Sequence, residues 1–405
     1  MNRIIAFAVL FLFLFFAGGS KACTSAIITG KLTPDGRPLL WKHRDTSELN
    51  NRIEHFKGSV YNFIALVNSP DRGGIVWSGT NSAGFSIINT ASYNLKDDDV
   101  EEMDKEGELM YGALSVCKNL LDFEAFLNRL PRPMRVETNV GVIDAEGGAA
   151  YYEINNTEWT KLDVNDPKVA PHGFLVVTNF SYTGRIDEGM GYIRYHNAQK
   201  IIGDRLSVSG RGITPQWIFN ALSRSFYHSL LGIDLKADLG KASRSGWFID
   251  QDFIPRYSSS ASVVIQGVRP DETPELTVMW TVLGYPPLGI AVPLFEKSGS
   301  GLPSFMTKTR LSENSGLCDR VLDQKGKVFA IRRGSGLKYF NASRLFNESG
   351  TGCMQLLAGC EEHIFSAFEK RMAGWRRTGV SLAELDGFYA DIYPKIESAY
   401  SSLPE

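Results

Sequence analysis

The chain lacks a charge bias of either sign. Its 43 lysines and arginines face 45 aspartates and glutamates, a formal net charge of −2, and the two signs are interspersed. No basic stripe points to a nucleic-acid partner, and no acidic tail points to a charge-driven one. Internal repeats and low-complexity tracts are absent too. The sequence has no HExxH, no CxxC pair, no EF-hand loop, no Walker-type loop and no dinucleotide fingerprint, so neither a metal nor another cofactor is expected. Cysteine is scarce, with only Cys23, Cys117, Cys318, Cys353 and Cys360. An odd count leaves at least one thiol unpaired. The other four could form up to two disulfides or remain buried thiols, and a chain of this size does not need bridges to hold a core.

Long hydrophobic runs are also missing, apart from one. Ile4 to Ala17 follows the cationic Arg3 and has the length of a signal-peptide core. It falls short of the about 20 residues that span a bilayer comfortably. Ser20 and Ala22 then supply small residues at the −3 and −1 positions for cleavage before Cys23. Residues 1–22 are therefore expected to be a cleaved signal peptide, with an uncleaved anchor as the alternative. The mature protein is expected to be exported, to the periplasm or outside the cell, without stable membrane insertion.

The full sequence is 43% hydrophobic, ample material for a core. Thr24–Thr29 and Pro38–Trp41 read as two strands joined through the turn Pro34-Asp35-Gly36. Further strands are expected at Phe63–Val67, Ile75–Ser78, Phe85–Ile88, Asn139–Ile143, Ala149–Ile154, 258–268 and 275–283. Helical spacing appears from Glu108 to about Asn119, over 121–130, 190–205 and 214–228. Residues 296–316, rich in Ser, Gly and Lys, read as a connection. Beyond it, 354–375 and 381–393 read as amphipathic helices, with Ser381 as N-cap and Pro394 ending or kinking the second. Blocks of strands and helices imply a layered α+β or α/β domain over 23–300. Residues 301–405 are expected to form a linker and helical extension packed on it, with an independent helical domain as the alternative.

Cys23 is the residue whose position suggests chemistry. Cleavage before it gives one residue both a thiol and an α-amine, with unperturbed pKa values of about 8.5 and about 7.7–8.0. The amine can take the thiol's proton directly or through one water, so no separate histidine is required. A lipid-anchored cysteine would need an apolar residue at −3 and small residues after it. Here Ser20-Lys21-Ala22 precede Cys23, and Lys21 fits that pattern badly. An ordinary core cysteine is the remaining alternative. The histidines His43, His55, His172, His196, His228 and His363 admit a Cys–His protease, but none lies in a recognisable local signature.

Cys23-Thr24-Ser25, Gly30-Lys31, Asp35-Gly36-Arg37 and Trp41-Lys42-His43-Arg44-Asp45 resemble the opening of the cysteine N-terminal-nucleophile (Ntn) hydrolases. The nearest branch is that of choloylglycine hydrolases, penicillin V acylases and penicillin acyltransferases. Asn81-Ser82-Ala83-Gly84 with Ile88-Asn89, Val177-Thr178-Asn179 and Trp280 to Pro293 extend the resemblance over roughly 23–295. The resemblance implies a four-layer αββα sandwich and cleavage of a linear amide C–N bond. It implies that Cys23 is the nucleophile, that Asp45 orients its amine, and that Asn179 and Asn89 line the oxyanion hole. Lys42 falls where the family carries arginine, and Arg44 could serve instead, because the two occupy alternate positions of one strand. Arg256 resembles a late arginine near the site.

The expected activity is thus hydrolysis of a small-molecule amide, an N-acyl amide, bile-salt conjugate or penicillin-like compound, through a thioester on Cys23. An Ntn-type dipeptidase or an acyltransferase would share the same nucleophile. A non-catalytic exported binding protein, or a lipoprotein, would not need the free amine.

Overall fold

The computed structural model describes residues 22–71, 73–238, 245–331 and 339–404. The signal-peptide reading of residues 1–21, with Ser20 and Lys21, lies outside the described residues.

Two antiparallel sheets make the centre. The first runs in the order β10 (Phe174–Val177), β1 (Ala22–Ile28), β2 (Leu39–Asp45), β14 (Ser259–Gln266), β15 (Val278–Leu283) and β16 (Val292–Leu294). The second is a seven-stranded meander of β3 (Asn51–Phe56), β4 (Phe63–Asn68), β5 (Ser78–Asn81), β6 (Ser86–Ala91), β7 (Thr138–Ile143), β8 (Ala149–Ile154) and β9 (Trp159–Asp163). Small ribbons pair β11 (Tyr227–His228) with β12 (Ile233–Asp234), and β13 (Trp247–Ile249) with β17 (Tyr339–Asn341).

The sheets face one another through β1 and β2 on one side and β6 and β7 on the other. Both are buried on two faces, so alternate residues of one strand serve two different cores. In β7, Val140 and Val142 join the outer core, and Gly141 faces the opposite sheet. A Cβ on Gly141 would lie 2.9 Å from the Tyr151 ring and 3.2 Å from Leu40 across the sandwich. Glycine is what lets the sheets approach there. At the β5–β6 turn, Gly84 has φ +78, and Asn81 Oδ1 accepts from the amides of Ala83 and Phe85.

Helices α1 (Glu106–Val116) and α2 (Leu120–Arg129) cover the outer face of the seven-stranded sheet, where Phe123 meets Phe85 and Tyr152. The outer face of the first sheet is covered by α3 (Tyr192–Ser209), α4 (Pro215–Ile218), α5 (Gly316–Val328) and α7 (Cys353–Thr378). Short α6 (Ala342–Leu345) packs on α7, and α8 (Leu382–Ser401) runs beside it. The four layers are helix, sheet, sheet, helix: the α+β sandwich with its C-terminal helices. Trp280 of β15 stacks on Phe365 of α7 at 4.1 Å between ring centroids, so the C-terminal helices share the main core.

Several local expectations shift. The strand expected at 75–78 begins at Ser78. The helix expected over 214–228 is one α turn followed by a π turn at Phe219–Ser223 and then the β11–β12 ribbon. There Ser223 Oγ is drawn to Trp41 Nε1 at 3.0 Å and Ser262 Oγ at 2.9 Å, tying the turn to the sheet. Pro394 does not end α8, which continues to Ser401. Buried Ile392, Ile396 and Tyr400 on one face hold the helix through the missing N–H, and Tyr400 Oη donates to Leu288 O at 2.8 Å. No disulfide forms among the cysteines: all five are free thiols, with Cys117, Cys318 and Cys353 buried and Cys360 half-buried.

Candidate active site

The β1–β2 register fixes which groups surround Cys23. Cys23 pairs with Arg44 and Ser25 with Lys42, so these four side chains project to the face that meets the second sheet. Contacts across the gap agree with this: Ser25 Oγ lies 2.9 Å from Tyr151 Oη of β8, and Lys42 Nζ donates to Asn89 Oδ1 of β6 at 2.6 Å. Ala22, Thr24, His43 and Asp45 alternate to the outer face. Cys23 itself is 6% exposed.

Two residues hold the main chain of Cys23. Its N–H donates to Asn179 Oδ1 at 3.0 Å. Arg194 donates to its carbonyl oxygen at 2.6 Å, to Thr24 Oγ1 at 2.9 Å and to Asn179 Oδ1 at 2.8 Å. Asn179 Nδ2 in turn donates to Ala91 O at 2.9 Å. Asn179 thus carries Cys23 on its oxygen and the end of β6 on its nitrogen. It is fully buried, which leaves its Asn-Phe-Ser sequon no access to a glycan.

The inner face is electropositive. Lys42 donates to Trp77 O at 2.7 Å as well as to Asn89. Arg44 donates to Asn51 Oδ1 at 2.6 Å and Asn68 Oδ1 at 2.7 Å, with its guanidinium 4.9 Å from the Trp77 ring centroid. The acceptors on Lys42, Arg44 and Arg194 here are amide, hydroxyl and main-chain oxygens, so those contacts cancel none of the positive charge. Burial pulls the Lys42 ammonium down to about 7, opposed by the charge of Cys23, while neighbouring Arg44 lowers it further. Burial likewise lowers Arg44 and Arg194 to about 10. A thiolate or oxyanion formed on this face would lower the energy of all three cations. Lys42 and Arg44 therefore both reach the face that carries the Cys23 side chain. Lys42 engages Asn89, and Arg44 is anchored on the Asn51 and Asn68 side chains.

Asp45 belongs to the adjoining outer-face network. It pairs with Ala22, one residue before Cys23. Ser259 Oγ donates to its Oδ1 at 2.5 Å, Arg256 pairs with its Oδ2, and His43 Nε2 lies 3.7 Å from Oδ1. Burial works against the Arg256 cation, yet Asp45 outweighs it and raises the guanidinium above its usual value. Burial drives His43 down to about 4, so it is neutral near pH 7. Its side chain projects to the face opposite the thiol, where a Cys–His pair could not form. A cavity of about 280 Å³ opens at the start of β1, lined by Ala22, Thr46, Leu49, Arg256 and Tyr257 among others.

The structure thus gathers Cys23, Lys42, Asn89 and Asn179 on one side and Asp45 and Arg256 on the other side of the same strand ends. Arg194 escaped sequence reasoning. The signal was an arginine on the buried stripe of α3, which otherwise carries Asn197, Ala198 and Ile202. Burial raises the thiols of Cys117 (to about 12), Cys318 (to about 11), Cys353 and Cys360 (to about 11), which makes them poor nucleophiles. Among the described residues, no group of three or more His, Cys, Asp or Glu side chains is placed to hold a metal ion.

No family model and no curated protein matches the chain. Solved structures similar to it include a cysteine-to-alanine mutant of conjugated bile acid hydrolase from Clostridium perfringens, at 11% identity and TM-score 0.40, covering 64% of this chain and 89% of that one. A Caenorhabditis elegans N-acylethanolamine-hydrolyzing acid amidase ortholog is 13% identical with TM-score 0.39, covering 62% and 94%. Penicillin V acylase from Agrobacterium tumefaciens is 10% identical with TM-score 0.39, covering 67% and 86%. Likenesses this distant assign neither an activity nor a substrate to this chain.

Proposed function

We propose that this protein is an exported cysteine hydrolase of linear amide C–N bonds, activated by cleavage before Cys23. The observation that carries the reading is the clamp on Cys23: Asn179 and Arg194 hold its nitrogen and carbonyl oxygen, and the register turns its thiol toward a cation-lined face.

Removing Ala22 would convert the Cys23 amide into an amine and open it to the cavity that Ala22 now walls. The amine takes the thiol proton, and the sulfur attacks the substrate carbonyl carbon, forming the C–S bond as the C=O electrons move to oxygen. Lys42 and the side-chain amides of Asn89 and Asn179 would serve as donors to the oxyanion. The C–N bond then breaks as the Cys23 ammonium returns its proton to the leaving nitrogen. Water attacks the thioester, gives its proton to the Cys23 amine, and releases the acid and the thiol. An amine attacking in place of water would give acyl transfer.

The test is N-terminal sequencing of the active, secreted or periplasmic protein together with a panel of N-acyl amides, bile-salt conjugates, penicillin V and dipeptides. The reading expects Cys23 as the first residue and turnover of a linear amide. Active protein with Cys23 blocked or internal would overturn it.

A further inference from the structure

The resemblance in sequence ends near residue 295, yet one side chain from beyond it reaches the site. Lys325, on α5, is 3% exposed. Its ammonium lies 4.8 Å from the Tyr257 ring centroid and 5.6 Å from that of Tyr285. It donates to Tyr257 O, and to Ser259 O at 3.3 Å. A lysine this deep persists only where its hydrogens meet acceptors.

Those two carbonyls belong to the turn Arg256–Ser259. The turn is closed by Ser259 N on Arg256 O and by Arg256 N on Ser259 Oγ, each at 2.9 Å. The side chains at its two ends converge on Asp45, and Ser258 O accepts from Thr46 N at 2.8 Å. The same helix also touches the opposite wall of the cavity. Cys318 Sγ lies 3.6 Å from Leu49 O, and Asn314, just before α5, donates to Asn50 Oδ1 at 3.2 Å. Tyr257 and Leu49 both line the space at Ala22. One helix of the C-terminal region thus spans both walls.

We propose that α5 is a positioning element of the Cys23 site, in which Lys325 fixes the 256–259 turn so that Ser259 and Arg256 hold Asp45 beside the start of β1. The C-terminal region is then part of the active site and not an appended module. The kinetic consequence rests on the hydrolase reading; the geometric one does not.

The test compares Lys325→Met, Lys325→Arg, Ser259→Ala and the Met/Ala double variant in the full mature chain. Three readouts are taken: thermal melting, amide turnover, and the pH profile of Cys23 alkylation by iodoacetamide, quantified on the Cys23 peptide. Folded Lys325→Met is expected to displace the alkylation midpoint and lower turnover about tenfold, Lys325→Arg to restore most of both, and the double variant to add little to Ser259→Ala. A folded Lys325→Met with the wild-type alkylation profile, or effects of Lys325→Met and Ser259→Ala that simply multiply, would overturn the proposal. If Lys325→Met does not fold, Lys325→Gln is read against the same two outcomes. Wild-type protein that alkylates at Cys23 but turns over no amide would defeat the hydrolase reading alone, because the alkylation comparison still stands.

Discussion

Arg194 binds the carbonyl oxygen of Cys23 at 2.6 Å from a helix 171 residues further along the chain. The same guanidinium reaches Asn179 Oδ1, which accepts the Cys23 N–H. The candidate nucleophile is therefore held by both its main-chain N–H and its main-chain carbonyl before any substrate arrives. Such preorganisation is where an acyl-transfer site gains most of its rate.

Cys23→Ala is expected to abolish amide turnover, and Cys23→Ser to reduce it by roughly 10³-fold or more, since an alcohol is much less acidic than a thiol. Substrate-panel kinetics on the purified variants check this. Turnover by Cys23→Ala at the wild-type rate would exclude this nucleophile.

Arg194→Lys should lose the two-armed contact, because an ammonium cannot reproduce the fork that spans Cys23 O, Thr24 Oγ1 and Asn179 Oδ1. The expected drop in kcat is about 10²-fold with a folded protein, read by steady-state kinetics beside circular dichroism. An unchanged kcat would remove Arg194 from the site.

Lys42 gives a pH prediction. Its folded-state pKa is lowered from 10.5 to about 7, so the ammonium is present below about pH 7 and fades above it. If that charge supports the oxyanion, kcat/KM should fall on the alkaline side with a midpoint near 7. Lys42→Arg, which stays charged, should move that limb upward by more than one pH unit. The folding linkage has a matching sign. Between about 7 and 10.5 the unfolded chain binds the extra proton, so this group makes stability rise with pH across that window. Superimposable pH–rate profiles for the two proteins would rule out the role.

Arg224 and Glu361 tie the C-terminal helices to the core by a buried two-armed pair, at 2.6 and 2.7 Å. Glu361→Ala leaves a buried guanidinium without its carboxylate and should lower stability by about 3–5 kcal/mol. Urea unfolding measures it. A loss below about 1 kcal/mol would mean that the remaining acceptors, Asn220 Oδ1 and the carbonyls of Pro286 and Gly289, satisfy Arg224 unaided.

Local pattern made much of the sandwich legible. Pro34-Asp35-Gly36 between two apolar runs gave the β1–β2 hairpin, and Asp144 to Gly148 gave the β7–β8 hairpin, because turn chemistry and period-two alternation act over a few residues. Strands β3 and β9 were not apparent, since four of the six β3 residues are polar and none of the five β9 residues is buried. Helix α8 ran through Pro394 because packing outweighed a local stop signal.

The sequence by itself determined the placement of Cys23 after small residues and at the head of a strand, and the alternation that sends Lys42 and Arg44 to its face. Those follow from nearest neighbours and from the two-residue repeat of a strand. Only the tertiary structure decided that Asn179, Arg194 and Asn89 meet Cys23 and Lys42, and that Lys325 braces the Asp45 network. Those contacts join segments tens to hundreds of residues apart, and they exist only once two sheets and an outer helical layer have closed around them.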